Sequence, residues 1–145
     1  MRRTTSLVLS VFVFSFLVVI APCLHAQITR HIDADISHPF IVGQATLPPG
    51  DYVFRMMQQT DLSVMTVNSK DGGTSVEFLV RPSQNSHVPN HNELVFDRYG
   101  SKDFLINIYQ RGEPIGVAVV EPSREESRLL KMGQIPAEHT EEQPE

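Results

Sequence analysis

The chain has 145 residues, is 41% hydrophobic, and carries a formal net charge of −5 at pH 7. This length suits one domain that buries most of its apolar surface. The acidic balance, without a basic stripe, argues against binding to nucleic acid or to an anionic membrane surface. Cys23 is the only cysteine. If Cys23 is removed with an N-terminal leader, the remaining chain can have no disulfide, no catalytic cysteine and no thiolate metal site.

Residues 1–26 have the layout of a secretory signal peptide. Two arginines precede an apolar run over residues 7–20, which is shorter than the roughly 20 residues that span a membrane. We therefore expect cleavage after Ala26, export to the periplasm or the extracellular space, and no membrane span after cleavage. Two alternatives are an uncleaved N-terminal anchor and a lipoprotein anchored through Cys23, because the residues before Cys23 loosely resemble a lipobox.

A period of two dominates residues 27–133 and predicts a single β-domain. Lys70-Asp-Gly-Gly73 gives the clearest hairpin signal. Strands are predicted at residues 31–37, 51–57, 62–69, 74–81, 93–99, 104–110 and 117–121, with a short apolar run at 40–42. The expected fold class is all-β, an antiparallel β-sandwich or small barrel of about seven strands with a short C-terminal helix.

The helix signal follows the last predicted strand. Ser123 and Glu126 have the spacing of a capping box, and Gly133 suits the end of the helix. Residues 134–145 are acidic, contain prolines and have almost no apolar side chains. This composition predicts a disordered acidic tail.

The stretch FDRYGSKDFL, residues 96–105, combines charged groups, a tyrosine and a glycine between two apolar runs. We interpret it as a hairpin bend in which Gly100 adopts positive φ. Arg98 shares the face of Leu94 and Phe96, which is unusual for a guanidinium. It either pairs with a carboxylate or with carbonyl groups at the rim, or it binds an anion at a pocket mouth. Arg98 and Tyr99 are therefore the candidate contact residues for a ligand or partner.

Other polar groups do not form a reactive pattern. His87 and His91 are four apart, but Pro89 lies between them, so a helical zinc motif is not expected. His31, Asp33 and Asp35 share a strand face and could chelate a cation weakly, although a solvated strand face explains them as well. The sequence contains no G-x-S-x-G elbow and no phosphate-binding glycine loop. It therefore predicts no catalytic residue, no cofactor and no metal site.

Three short motifs carry a family resemblance. They are FIVG followed by LPPGDY, then FDRYG, then SREESR. The chain resembles a family of small, uncharacterised secreted bacterial β-rich proteins with F-x-V-G, L-P-x-G-x-Y, F-x-R-Y-G and S-R-x-E motifs. The matching positions are Phe40, Val42, Gly43, Leu47, Pro48, Gly50, Tyr52, Phe96, Arg98, Tyr99, Gly100, Ser123, Arg124 and Arg128. The resemblance implies a secreted β-rich domain and brings no catalytic residue or cofactor.

Two functional classes follow from these observations. The first is an exported, non-enzymatic β-domain that binds a protein or glycan partner at the cell envelope. The alternative is a small-ligand or lipid-binding β-barrel, and a hydrolase comes third. The interior of the barrel would be lined by Phe54, Phe78, Phe96, Phe104 and Ile106.

Overall fold

The computed structural model describes residues 31–58, 63–120 and 122–143. The predicted signal peptide, its cleavage site and Cys23 lie outside these residues. Strands make up 60% of the structure and helix 8%. The prediction of an all-β fold with a short C-terminal helix is confirmed.

The described residues form ten strands and one helix. In chain order they are β1 (His31–Ile36), β2 (Phe40–Val42), β3 (Ala45–Leu47), β4 (Gly50–Gln58), β5 (Ser63–Ser69), β6 (Ser75–Gln84), β7 (Asn92–Tyr99), β8 (Lys102–Tyr109), β9 (Ile115–Val119), α1 (Arg124–Lys131) and β10 (Ala137–Gln143).

All ten strands belong to one mixed sheet that is not closed into a barrel. The order is β1-β4-β5-β6-β9-β8-β2-β3, and β7 lies between β8 and β10. The β2–β8 pair is parallel and the others are antiparallel. The predictions of a closed barrel and of a purely antiparallel arrangement were therefore wrong. The sheet is mixed because two strands share one edge of β8. The first half of that edge, at Asp103 and Phe104, pairs with β2, and the second half, at Asn107 and Ile108, pairs with β9.

Alternating apolar residues build the main core. In β1, Ile32, Ala34 and Ile36 are buried, whereas the residues between them face outward or are half-buried. This strand pairs with β4 from His31 opposite Arg55 to Ile36 opposite Gly50. Such alternation is what a sheet with one buried face requires. Four aromatic side chains of the core are almost completely buried: Phe40, Tyr52, Phe54 and Phe96.

Both predicted hairpin bends are present. β5 and β6 are joined by a turn in which Gly72 has φ of 78°, and β7 and β8 by a turn in which Gly100 has φ of 64°. Only glycine adopts these values at no steric cost. The second turn places Arg98 directly opposite Asp103 in the register of the two strands.

Helix α1 begins as the sequence predicts. The hydroxyl oxygen of Ser123 accepts a hydrogen bond of 2.9 Å from the backbone N–H of Glu126. Glu125 and Glu126 lie in the first turn, where the helix dipole favours negative charge. No helix within the described ranges is long and apolar enough to cross a membrane.

The segment predicted to be a disordered tail instead contains strand β10. It pairs antiparallel with β7, from Ala137 opposite Arg98 to Gln143 opposite Asn92. The backbone N–H of Asp35 in β1 donates a 2.9 Å hydrogen bond to Oε1 of Gln143. A composition argument missed this strand because its inward positions are polar. What holds it is backbone hydrogen bonding to an edge of β7 that would otherwise be unpaired.

Candidate functional site

The candidate site is a group of five polar side chains that we call the His–Asp cluster: His38, Arg98, Asp103, His139 and Glu141. His38 lies in the turn between β1 and β2, Arg98 at the end of β7, and Asp103 at the start of β8. His139 and Glu141 lie two apart on β10, so both side chains leave the same face of that strand. The sheet therefore gathers groups that are far apart in the sequence.

The Arg98–Asp103 ion pair anchors the cluster. Nε and Nη2 of Arg98 donate hydrogen bonds of 2.7 and 3.0 Å to the two carboxylate oxygens of Asp103. The Asp103 side chain is only 5% exposed. The hydrogen bond to Asp103 raises the pKa of the Arg98 guanidinium. Of the two hypotheses drawn from the sequence for Arg98, the structure shows the first, an ion pair with a carboxylate.

The two imidazole rings lie between two carboxylates. His38 places Nε2 at 3.3 Å from Oδ2 of Asp103 and Nδ1 at 3.1 Å from Oε1 of Glu141. His139 places Nδ1 at 3.7 Å from Oδ1 of Asp103 and Nε2 at 4.0 Å from the same Glu141 oxygen. Each ring thus turns one nitrogen toward Asp103 and the other toward Glu141.

Phe96 holds both rings against the core. The ring of His139 stacks on Phe96 with centroids 5.3 Å apart and planes inclined by 18°. His38 meets Phe96 edge-on at 5.4 Å. Because Phe96 is completely buried, this contact fixes the position and orientation of both imidazoles.

Two nitrogens of the cluster are buried without a hydrogen-bond partner, namely Nε2 of His38 and Nδ1 of His139. Asp103 lies 3.3 Å from the first and 3.7 Å from the second without forming a hydrogen bond to either. Buried polar atoms of this kind are uncommon and often mark a functional group. In formal charge, the two carboxylates exceed the single guanidinium by one, so the cluster electrostatically favours a further positive charge.

Tyr99 lies on the other face of β7 from Arg98. Its ring is 5% exposed and packs edge-on against Phe104 with centroids 5.6 Å apart. Burial is the main cause that raises the pKa of Tyr99, and Asp97 and Glu126 add to it. The structure does not support Tyr99 as a surface contact residue, because its ring is covered by Phe104 and its neighbours. The Arg98 side chain is partly exposed, but its guanidinium group is hydrogen-bonded to Asp103.

Asp97 and Glu126 form a second acidic group near Tyr99. Burial is the first cause that raises the pKa of each carboxyl, and Glu138 raises that of Asp97 further. The adjacent space, between α1 and the β2–β3 turn, is about 80 Å³. This volume is far below the roughly 300 Å³ of a typical ligand pocket.

The other polar residues singled out in the sequence have separate partners. Nε2 of His87 lies 3.2 Å from Glu93, and Nδ1 of His91 lies 3.3 Å from Glu142. Asp33 lies 2.9 Å from the amino group of Lys70, whose hydrogen bond lowers the pKa of Asp33. His87 and His91 therefore pair with two different carboxylates.

An apolar groove lies on the sheet next to β9. It has a volume of about 200 Å³ and is lined by Ile32, Met56, Met65, Pro82, Ile108, Gln110, Ile115, Gly116 and Val117. A second groove, of about 380 Å³, runs between the β2–β3 turn and β6. Gln44 and Glu77 on its wall are exposed, and most of its other lining residues are half-buried. It is therefore a surface groove rather than an interior cavity.

Sequence reasoning found Arg98 but missed its neighbours. His38 lies between two strands without a local pattern, and His139 and Glu141 fall in the segment assigned to disorder. Their i, i+2 spacing was the one available signal, because that spacing places two side chains on one face of a strand. Comparison with known proteins adds nothing to this, since no family model, curated protein or solved structure matches the chain.

Proposed function

We propose that this protein is an exported, non-enzymatic β-domain that binds a protein partner at the cell envelope. The observation that carries the proposal is the apolar groove next to β9. Its floor consists of Ile32, Met65 and Ile108, and Ile115 at its rim is 61% exposed. An aliphatic side chain of a partner would remove this apolar surface from water, which is the main source of free energy in protein association.

A protein partner fits this surface better than a glycan. Sugar rings stack on exposed aromatic faces, whereas the large hydrophobic side chains that are exposed in the described part of the chain are all aliphatic. They are Met57, Val88, Ile115, Val120, Leu130, Met132 and Ile135.

The alternative of a ligand-binding or lipid-binding barrel has less support. The sheet is not closed into a barrel. Phe54, Phe78 and Phe96, which were expected to line the lumen, lie in the packed core. Phe40 fills the space between Tyr52 and Phe96, with ring centroids 5.3 and 6.0 Å away. These ring contacts are those of side chains that fill an interior rather than line a cavity.

Site-specific photo-crosslinking in the natural host tests the proposal. A photoreactive phenylalanine derivative replaces Ile115 in one variant and Ile135, which is 90% exposed and outside the groove, in the control. We expect a discrete protein adduct from position 115 and none from 135. The captured protein, once purified, should bind the unmodified chain and lose at least about tenfold in affinity to Ile115→Glu, but not to Ile135→Glu.

Three results would contradict the proposal. They are equal adducts at both positions, adducts that contain only glycan or lipid, and a captured protein whose affinity is unchanged by Ile115→Glu. Mass spectrometry of the protein from the same cells checks export separately. The expected N-terminus is Gln27, and a lipid on Cys23 or a retained leader would contradict this.

A further inference from the structure

The His–Asp cluster contains the elements of a metal site. His38, His139 and Glu141 can each offer one ligand atom such that all three atoms lie within 4.8 Å of one another. We propose that these three side chains bind a divalent transition metal ion of the zinc class, which ties β10 to the turn between β1 and β2. This site goes beyond partner binding and does not depend on it.

The ring orientations divide the four imidazole nitrogens into two pairs. Nδ1 of His38 and Nε2 of His139 face Glu141, and Nε2 of His38 and Nδ1 of His139 face Asp103. The nitrogens that face Asp103 are also the two buried nitrogens without a partner. Protons on these two nitrogens would point at the Asp103 carboxylate and leave the lone pairs of the other two toward Glu141.

Arg98 already selects this tautomer in His139. Its Nη2 lies 3.3 Å from Nε2 of His139. A guanidinium can only donate, so Nε2 carries the lone pair and the ring proton lies on Nδ1, facing Asp103. A carboxylate that orients the far nitrogen of a ligating histidine is a common feature of zinc sites. Asp103 lies 3.3 and 3.7 Å from the nitrogens that face it, so it would accept their hydrogen bonds once an ion draws the two rings into line. Arg98 holds Asp103 in place through two hydrogen bonds.

The distances fit a tetrahedral ion with modest adjustment. Zinc bonds of about 2.0–2.1 Å place neighbouring ligand atoms roughly 3.3 Å apart. Oε1 of Glu141 is 3.1 Å from Nδ1 of His38 and 4.0 Å from Nε2 of His139. The side chains of His38, His139 and Glu141 are 19%, 25% and 25% exposed, so water can reach the fourth position.

The net charge of the cluster also favours binding of a metal cation. Asp103 and Glu141 together outweigh Arg98 by one formal negative charge, which a divalent ion reverses. The metal takes the place of the contact between Arg98 and Nε2 of His139, whereas the bidentate Arg98–Asp103 pair remains. Imidazole nitrogen with one carboxylate oxygen is a donor set that suits zinc and its neighbours better than calcium or magnesium.

The experiment uses the mature protein without a polyhistidine tag. Zn²⁺ is titrated by calorimetry, Co²⁺ by its visible absorption, and thermal unfolding is recorded with and without Zn²⁺. We expect one ion per chain, the spectrum of tetrahedral cobalt, and a rise in Tm, because binding to the native state stabilises it. His38→Gln, His139→Gln and Glu141→Gln should each weaken binding at least about a hundredfold. His91→Gln, whose side chain is 51% exposed, is the matched control and should bind like the wild type.

A second measurement does not depend on variants. The ring nitrogen resonances of the wild-type histidines should show zinc on Nδ1 of His38 and Nε2 of His139, with protons on the two nitrogens that face Asp103. The proposal is overturned if Zn²⁺ leaves these rings unchanged, if it shifts His87 or His91 instead, or if His139→Gln binds as tightly as wild type.

Discussion

Gly116 offers the sharpest test of the sheet packing. It lies in β9 opposite Ser83 of β6, next to the short ladder that joins β9 to β8. A Cβ atom built on Gly116 would lie 2.3 Å from the carbonyl oxygen of Ile108 and 2.4 Å from Cδ1 of Tyr109. The ring of Tyr109 is held in turn by Ser83, whose hydroxyl lies 3.1 Å from the phenol oxygen. Glycine is therefore required at position 116, because β8 approaches it too closely for any side chain.

The expected effect of Gly116→Ala follows from these distances. Ordinary contact begins at 3.4 Å, so the added methyl must part β8 from β9 by about 1 Å, which lies within the range of overpacking that costs about 1–3 kcal/mol. One of the two contacts is with backbone, which cannot rotate away, so we expect the upper part of that range. At about 4 °C per kcal/mol for a domain of this size, Tm should fall by roughly 8–12 °C.

Gly50→Ala is the matched control. Its Cβ would meet Tyr52 at 3.7 Å, an ordinary contact, and Gly50 has no positive φ. We expect its free energy of unfolding in urea to stay within about 0.5 kcal/mol of the wild type. If Gly116→Ala is no less stable than Gly50→Ala, β8 and β9 do not approach each other this closely in solution, and the register of the β8–β9 pair is wrong.

Three further predictions concern stability. Tyr52→Phe removes the 2.6 Å hydrogen bond to the carbonyl oxygen of Pro48 and should lower the free energy of unfolding by about 1 kcal/mol in urea titrations; an unchanged value would contradict the bond. Burial raises the pKa of Glu126 above its ordinary 4.5 and outweighs its favourable place in the first turn of α1, so its ionised form destabilises the fold above that pH. Glu126→Gln should therefore be more stable than wild type at pH 7, with the advantage fading as the pH falls below the raised folded-state pKa and absent below about 4.5; a pH-independent difference would contradict this. Ending the chain after Pro136 removes β10 and should make those amides of β7 that face β10 exchange rapidly with solvent, while the amides that face β8 stay protected; protection equal to that of the full chain at both edges would show that β10 does not dock.

The sequence could predict those elements whose own side chains contain the packing information. The alternation of Ile32, Ala34 and Ile36 gives β1, the glycines at 72 and 100 give two hairpin turns, and Ser123 gives the start of α1. These signals are local, since periodicity and turn chemistry depend on residues close in the chain.

The parts that sequence reasoning missed depend on contacts between distant residues. The short strands β2 and β3 carry too few residues for a period, and β2 joins the sheet through a parallel pairing with β8. β10 has no apolar face, so its pairing with β7 leaves no mark on hydrophobicity. The His–Asp cluster depends on both, because β10 supplies His139 and Glu141 and the turn before β2 supplies His38.

The position of β7 between β8 and β10 has a consequence for how the chain reaches its native state. Its two neighbours are β8, which follows at once, and β10, which follows only after β8, β9 and α1. When the chain emerges N-terminus first, one hydrogen-bonding edge of β7 therefore stays unpaired from the end of β7 at Tyr99 until β10 begins at Ala137. Assembly can finish only when β10 arrives, so truncated products should be prone to self-association along that edge.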